Sequence, residues 1–85
     1  MARYVISYDL RKPDHDYRPL YDELDELGAT HIQDSVWAVR TELTAKQVFD
    51  ALWEHLHSGK DRLLVVETSK SNWTNRNGIN KFKNV

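Results

Sequence analysis

The first predicted strand constrains both the fold and the chemistry of this chain most strongly. Residues 3–10 read RYVISYDL, so that large apolar side chains alternate with a second set. This period of two predicts a strand with two different faces. The faces carry Tyr4, Ile6, Tyr8 and Leu10 on one side, and Val5, Ser7 and Asp9 on the other. Asp9 stands at the carboxyl end of the strand, before the charged loop 11–16, and strand ends that feed loops often carry functional side chains. Two interpretations of Asp9 have equal weight, a functional carboxylate and a cap of the following turn.

Residues 17–27 predict an amphipathic helix with an acidic solvent face. Its apolar stripe has helical spacing and consists of Tyr17, Leu20, Tyr21, Leu24 and Leu27. Asp16 is the expected N-terminal cap, with Pro19 in the first turn, and Gly28 is the expected left-handed C-terminal cap. The two tyrosines are expected in the core rather than at a binding site.

The remaining chain predicts further strands and a second helix. Residues 30–41 (THIQDSVWAVRT) indicate two strands, or one bent strand, with a break near Asp34 and Ser35. Thr44 and Gln47 have the spacing of a capping box, and Gly59 is expected to end the helix that it opens. The apolar stripe of that helix is Val48, Phe49, Leu52, Trp53 and Leu56. Residues 62–68 (RLLVVET) predict the last strand.

This order of elements predicts the α+β class. We expect a ferredoxin-like sandwich, in which a four-stranded antiparallel sheet carries two helices on one face, within a domain of residues 1–68. The other sheet face would be open and available for pairing with a second copy. Residues 69–85 form a basic, Asn-rich C-terminal tail, for which two interpretations stay open, a partly mobile segment and a segment that packs on a partner subunit.

Charge is distributed unevenly along the chain. The 85 residues carry a formal net charge of −1, which argues against a simple basic nucleic-acid binder. Residues 14–26 contain six acids and one arginine, whereas residues 68–85 contain four cations and no acid. A polyanion is therefore expected to approach the tail or the loop after the first strand. The chain contains no cysteine, no apolar signal stretch and no membrane-length apolar run, so a cytoplasmic protein without membrane contact is expected.

The familiar catalytic motifs are missing from this sequence. It has no P-loop, no GxSxG and no HExxH, and its histidines at 31, 55 and 57 are not expected to join carboxylates in a metal site. Asp9 remains as the candidate. A lone carboxylate binds Mg²⁺ poorly, but two-fold symmetry would supply a second one, and a substrate phosphate would complete the ligand set. Asp14 and Asp16 would be outer ligands or, as the favoured alternative, caps of the first helix.

Three segments carry a resemblance to a known family. Residues 4–10 (YVISYDL), a first helix ending at Gly28, and residues 33–37 (QDSVW) are similar to the small CRISPR-associated adaptation protein, which partners the Cas integrase, and to its VapD-type ribonuclease-toxin relatives. The resemblance covers residues 3–68. Residues 8–13 (YDLRKP) and 37–41 (WAVRT), with Tyr17, Leu20 and Tyr21, resemble more closely a stand-alone branch of that superfamily.

The resemblance implies a homodimeric ferredoxin-like protein with Mg²⁺-dependent endonuclease activity on RNA or DNA. Asp9 would be the catalytic metal ligand, with Ser35 close to it or to a phosphate. To these we add cations expected to bind nucleic acid, namely Arg11, Lys12, Arg40, Lys70 and Arg76. An alternative implication is a non-catalytic dimeric scaffold or regulator, which binds nucleic acid or a protein partner such as an integrase or an antitoxin.

Overall fold

The computed structural model describes residues 1–68 of the chain. Four strands and two helices alternate along it. Their bounds are β1 Ala2–Asp9, α1 Arg18–Glu26, β2 Thr30–Gln33, β3 Val36–Thr41, α2 Ala45–Trp53 and β4 Arg62–Thr68. The expected break at residues 34 and 35 is a tight turn that separates β2 from β3, so the two-strand interpretation is confirmed.

The four strands form one antiparallel sheet in the order β2-β3-β1-β4. β1 is central because its alternating, strand-favouring residues pair on both sides, with β3 and with β4. Its register places Asp9 opposite Arg62 and Arg3 opposite both Arg40 and Thr68. This order, with two helices, confirms the predicted ferredoxin-like α+β sandwich.

The core lies between one sheet face and the two helices. The alternation in β1 buries Tyr4, Ile6 and Tyr8, which pack with Trp37 and Val39 of β3. The helices contribute the apolar positions predicted by their spacing, and these are Leu20, Leu24, Val48 and Leu52, with Leu56 after α2. On the opposite sheet face, Leu64 is 57% exposed and Val66 is 44% exposed. The predicted open face is therefore present, with two large apolar side chains facing outward.

Local sequence signals determine most helix ends. The Thr44 hydroxyl accepts a hydrogen bond from the Gln47 amide (3.1 Å), and the Gln47 side chain accepts one from the Thr44 amide (2.8 Å), which confirms the capping box. Gly28 has φ 77°, as a left-handed C-terminal cap requires. Asp16 accepts a hydrogen bond from the Arg18 amide (3.0 Å) but lies one residue before the N-cap, Tyr17.

Two expectations about the helices are wrong. Tyr21 was expected in the core but is 38% exposed, because Leu20 and Leu24 alone bring α1 into full contact with the sheet. The second helix was expected to continue to Gly59, but α2 ends at Trp53 and the chain proceeds through turns. Those turns bring residues 57–61 to the start of β4.

The predicted tail, residues 69–85, lies outside the described residues. Within residues 1–68, neither helix has the length and the apolar character needed to cross a membrane.

Candidate functional site

Asp9 ends β1 on the open sheet face, with its side chain 56% exposed. Its carboxylate accepts no hydrogen bond from any residue between 1 and 68, and its one ion pair there is with Arg11, with Nη1 and Oδ2 3.9 Å apart. A shallow pocket of about 160 Å³ lies against Asp9. The pocket is lined by Ser7, Tyr8, Asp9, Arg62, Leu63 and Leu64. The geometry thus leaves both carboxylate oxygens available to a ligand, and the turn-cap interpretation has no hydrogen bond to support it.

Ser35 lies at the same end of the sheet as Asp9. Its carbonyl oxygen accepts the Tyr8 amide hydrogen bond (3.1 Å), one residue from Asp9. The turn is further held by Tyr8, whose hydroxyl lies 3.3 Å from the Asp34 carbonyl oxygen and accepts a bond from the Trp37 indole N–H (3.0 Å). Burial raises the pKa of Tyr8, so its hydroxyl stays protonated and remains a donor. The structure therefore positions Ser35 and Asp9 at one end of the sheet.

The predicted nucleic-acid-binding cations do not form one cluster. Arg11 and Lys12 lie two and three residues after Asp9, although the Lys12 ammonium pairs with Asp14 (2.8 Å). The Asp14 pKa is lowered, chiefly by this hydrogen bond with Lys12. Arg40 lies opposite Arg3, at the other end of β1, roughly 20 Å from Asp9 at about 3.3 Å per strand residue. The remaining two cations, Lys70 and Arg76, lie outside the described residues.

Asp61, which the sequence did not single out, is the buried charged residue of this region. It is 5% exposed and accepts hydrogen bonds from the Arg11 amide (2.7 Å) and the His57 amide (2.8 Å). The Tyr17 hydroxyl donates to it as well, at 2.7 and 2.6 Å from its two oxygens. Asp61 thus connects the loop after β1, the start of α1 and the turns after α2.

These hydrogen bonds keep Asp61 ionised. Burial by itself raises the pKa of Asp61, but the bonds from the Arg11 amide, the Tyr17 hydroxyl and the His57 amide lower it by more. The pKa of Asp61 therefore lies below its usual range. Conversely, burial and the hydrogen bond to Asp61 raise the pKa of Tyr17 to about 12. The hydrogen bond therefore favours a protonated Tyr17 hydroxyl and an ionised Asp61 carboxylate.

His15 faces the helices rather than Asp9. Its Nε2 lies 2.9 Å from the His55 carbonyl oxygen, and its ring centroid is 4.6 Å from that of Tyr17. Although His15 is the histidine closest to Asp9 in sequence, the loop turns it toward the end of α2. It therefore fixes the conformation of the loop after β1.

A second group of possible metal ligands lies between the helices, on the other side of the sheet from Asp9. His55 Nε2 is 3.3 Å from Glu23 Oε1 and 3.5 Å from Glu54 Oε1, and the three ligand atoms lie within 4.8 Å of one another. His55 thus lies next to two carboxylates, a proximity that its spacing in the sequence does not indicate. Glu54 and His55 are adjacent in sequence, but Glu23 comes from α1, and no local pattern predicts its approach.

Asp14 and Asp16 act as anchors of the loop. Each pairs with a neighbouring cation, Asp14 with Lys12 and Asp16 with Arg18, whose hydrogen bonds lower the Asp16 pKa to about 2. Both acids are exposed, and neither joins Asp9 in a shared ligand set within residues 1–68. Their favoured interpretation as caps of the first helix is wrong for the N-cap position, which Tyr17 occupies without a side-chain capping hydrogen bond. Asp16 does accept the Arg18 amide hydrogen bond in the first turn of α1, whereas Asp14 pairs with Lys12.

Comparison with known proteins agrees with the fold and identifies the family. A crystal structure of a hypothetical protein, TT1823, from Thermus thermophilus is similar to this chain with a TM-score of 0.70 and 22% sequence identity. The similarity covers 91% of this chain and 93% of that one, and at this identity it shows the fold alone. The family model described as CRISPR associated protein Cas2 matches residues 1–76. The chain therefore belongs to the CRISPR-associated Cas2 family.

Proposed function

We propose that this chain is a homodimeric, Mg²⁺-dependent endonuclease that cleaves phosphodiester bonds of RNA or DNA in a cytoplasmic CRISPR-associated system. One observation carries the proposal. The Asp9 carboxylate is exposed at the end of a central strand, and both its oxygens are without hydrogen bonds from residues 1–68. Family membership gives the CRISPR-associated context.

The donor set at Asp9 fits Mg²⁺ in part. Carboxylate oxygens are its preferred protein ligands, and Mg²⁺ sites commonly combine one or two carboxylates with substrate phosphates and waters. Asp9 would hold the ion, which would neutralise charge at the scissile phosphate. Arg11 and Arg62, which flank Asp9, would attract the nucleic-acid backbone. Ser35 would donate a hydroxyl hydrogen bond to a phosphate oxygen.

A second copy of the chain would complete this site. A single chain supplies one carboxylate at this place among its described residues, whereas a dimer about a two-fold axis would supply two. The open sheet face, with Leu64 and Val66 exposed, supports such pairing because it offers apolar area next to Asp9.

If two copies pair through the open sheet face, Leu64→Arg should give a monomer. Burying an unpaired charge against the partner sheet would cost more free energy than the burial of apolar area on association provides. Light scattering coupled to size exclusion measures the mass. The control is Glu26→Arg, an exposed change on the helix side, which should leave the mass unchanged. A dimeric Leu64→Arg protein would place any dimer contact elsewhere.

The proposed activity is tested by incubating the purified chain with end-labelled RNA and DNA of the same sequence. We expect cleavage products with Mg²⁺ and none with EDTA, because the phosphate charge is then not neutralised. Products with EDTA would exclude the metal requirement. No products from either nucleic acid under any divalent ion would favour the scaffold.

The scaffold remains the second candidate because one chain presents a single carboxylate at this site. As a scaffold or regulator, the chain would bind nucleic acid, an integrase or an antitoxin in a manner that does not depend on Asp9. Deletion of residues 69–85, which carry Lys70 and Arg76, would weaken such a complex, whereas Asp9→Asn would leave it unchanged. Binding measured by fluorescence anisotropy separates these outcomes.

A further inference from the structure

A cationic pocket lies beside the Asp9 pocket, where β1 leaves the sheet and β4 enters it. Its volume is about 430 Å³, and it is lined by Arg11, Gly59, Lys60, Asp61 and Arg62. Arg62 lines both pockets. The two pockets therefore form adjoining parts of one surface at this end of the sheet.

The charge of this pocket is not neutralised by its own residues. Lys60 and Arg62 form no ion pair within the described part of the chain, and the Arg11 guanidinium forms a single long one there, with Asp9, at 3.9 Å. Asp61, the acid in the wall, is buried, and its oxygens already accept hydrogen bonds from Arg11, Tyr17 and His57. Three cations thus face solvent against one carboxylate that is turned inward.

The backbone of the pocket is held in place before any ligand binds. Asp61 binds the Arg11 amide on one wall, and directly precedes Arg62 on the other. The amides of Lys60 and Asp61 both donate to the His57 carbonyl oxygen, at 3.1 and 2.9 Å. Arg62 itself is paired with Asp9 in the sheet. The backbone is therefore held at all three cations, and a ligand would order only their side chains.

We propose that this pocket binds a backbone phosphate of the nucleic acid, adjacent on the same strand to the phosphodiester at Asp9. Guanidinium and ammonium groups bind phosphate oxygens through charge-assisted hydrogen bonds, and two arginines and one lysine converge here. The inference rests on the proposed function, because a nucleic-acid strand must be bound at Asp9 for its neighbouring phosphate to reach this pocket. It assigns Lys60 and Arg62, which the sequence did not single out, to positioning the substrate. Phosphates are common to all sequences, so the contact carries no base specificity.

The test measures how affinity depends on salt. For a single strand, the logarithm of the affinity falls linearly with the logarithm of the salt concentration. Each phosphate that the protein neutralises makes this slope steeper by about 0.7. Lys60→Gln combined with Arg62→Gln should reduce that slope by about this amount for a labelled single strand in EDTA. The matched control, Lys46→Gln with Arg18→Gln, also removes two charges, but from exposed residues paired with Asp50 and Asp16. Its slope should not change.

A second measurement uses the unaltered chain with inorganic phosphate alone. We expect saturable amide shifts in residues 59–62 by NMR. An unchanged slope in the double variant, together with unshifted amides, would overturn the proposed phosphate binding at this pocket. The proposed Mg²⁺-dependent cleavage would be unaffected, because a separate assay tests it. If no cleavage is found, but phosphate shifts these amides and the slope falls, the proposed function fails and the phosphate pocket remains.

Discussion

Replacing Asp61 by Ala is expected to lower the free energy of unfolding by about 3 kcal/mol, a large effect for one residue. The change leaves two backbone amides, of Arg11 and His57, and the Tyr17 hydroxyl without their acceptor. Each buried donor that loses its partner costs about 1–3 kcal/mol, partly recovered where water enters. Urea denaturation measures the loss.

Three further variants divide this effect. Asp61→Asn retains one carbonyl oxygen and should lose less than Asp61→Ala. Tyr17→Phe removes one donor and should cost about 1 kcal/mol. Asp50→Ala, which removes an exposed carboxylate paired with Lys46, is the matched control and should stay within about 0.5 kcal/mol of the parent. An Asp61→Ala protein as stable as the Asp50→Ala protein would show that Asp61 does not hold the turns together.

The same contacts predict how this stability depends on pH. The folded pKa of Asp61 is lowered from an ordinary value of 3.8, so its contribution is present above that value and is lost as pH falls through the folded pKa. The folded pKa of Tyr17 is raised from 10.0 to about 12, so its contribution is complete below pH 10 and is lost as pH rises through 12. The difference in unfolding free energy between the parent and Asp61→Ala should therefore be largest between these two limits.

Asp9→Asn is expected to reduce nuclease activity to background, by at least about 100-fold. The substitution removes the charge that would hold Mg²⁺, and a metal contributes several kcal/mol to the stabilisation of a phosphoryl transition state. Because the side chain is exposed and accepts no hydrogen bond from residues 1–68, the unfolding free energy should change by less than about 0.5 kcal/mol. Rates on labelled RNA and DNA, measured with stability, separate the two effects.

Glu54→Gln is the matched control for Asp9→Asn. It also removes one carboxylate charge, from the Glu23, Glu54 and His55 group between the helices. Full activity in Glu54→Gln with none in Asp9→Asn is the expected result. The reverse result would move the metal chemistry to the helix side of the sheet, and activity in both variants would exclude Asp9 as the metal ligand.

The sequence predicted those features whose causes are local. Alternation in residues 3–10 indicated the buried and open faces of β1, and the Thr44 and Gln47 pair indicated the start of α2. Asp61 escaped prediction because two of its partners, Arg11 and Tyr17, are 50 and 44 residues away. No local pattern encodes such contacts, since they depend on how β1 and β4 pair.

In the candidate site too, the sequence predicted some positions correctly and missed others that depend on the path of the strands. Asp9 and Ser35 were expected to lie near each other, and the β2–β3 turn does place them at one end of the sheet. Arg40 follows that turn closely in sequence, but β3 runs away from the turn and carries Arg40 to the other end of the sheet. Direction along a strand, rather than residue type, decided which cations approach Asp9.

The strand order also determines when the cationic pocket can exist during folding. β1 is synthesised first, yet it pairs along its length with β4, the last strand described. Such non-local pairing slows folding, because a long loop must close before any contact compensates for the lost chain entropy. Arg11 follows β1 and Arg62 begins β4, so they come together to line the pocket only when these two strands pair. A nascent chain that has formed β1, α1, β2 and β3 therefore has Asp9 but does not yet have the cationic pocket beside it.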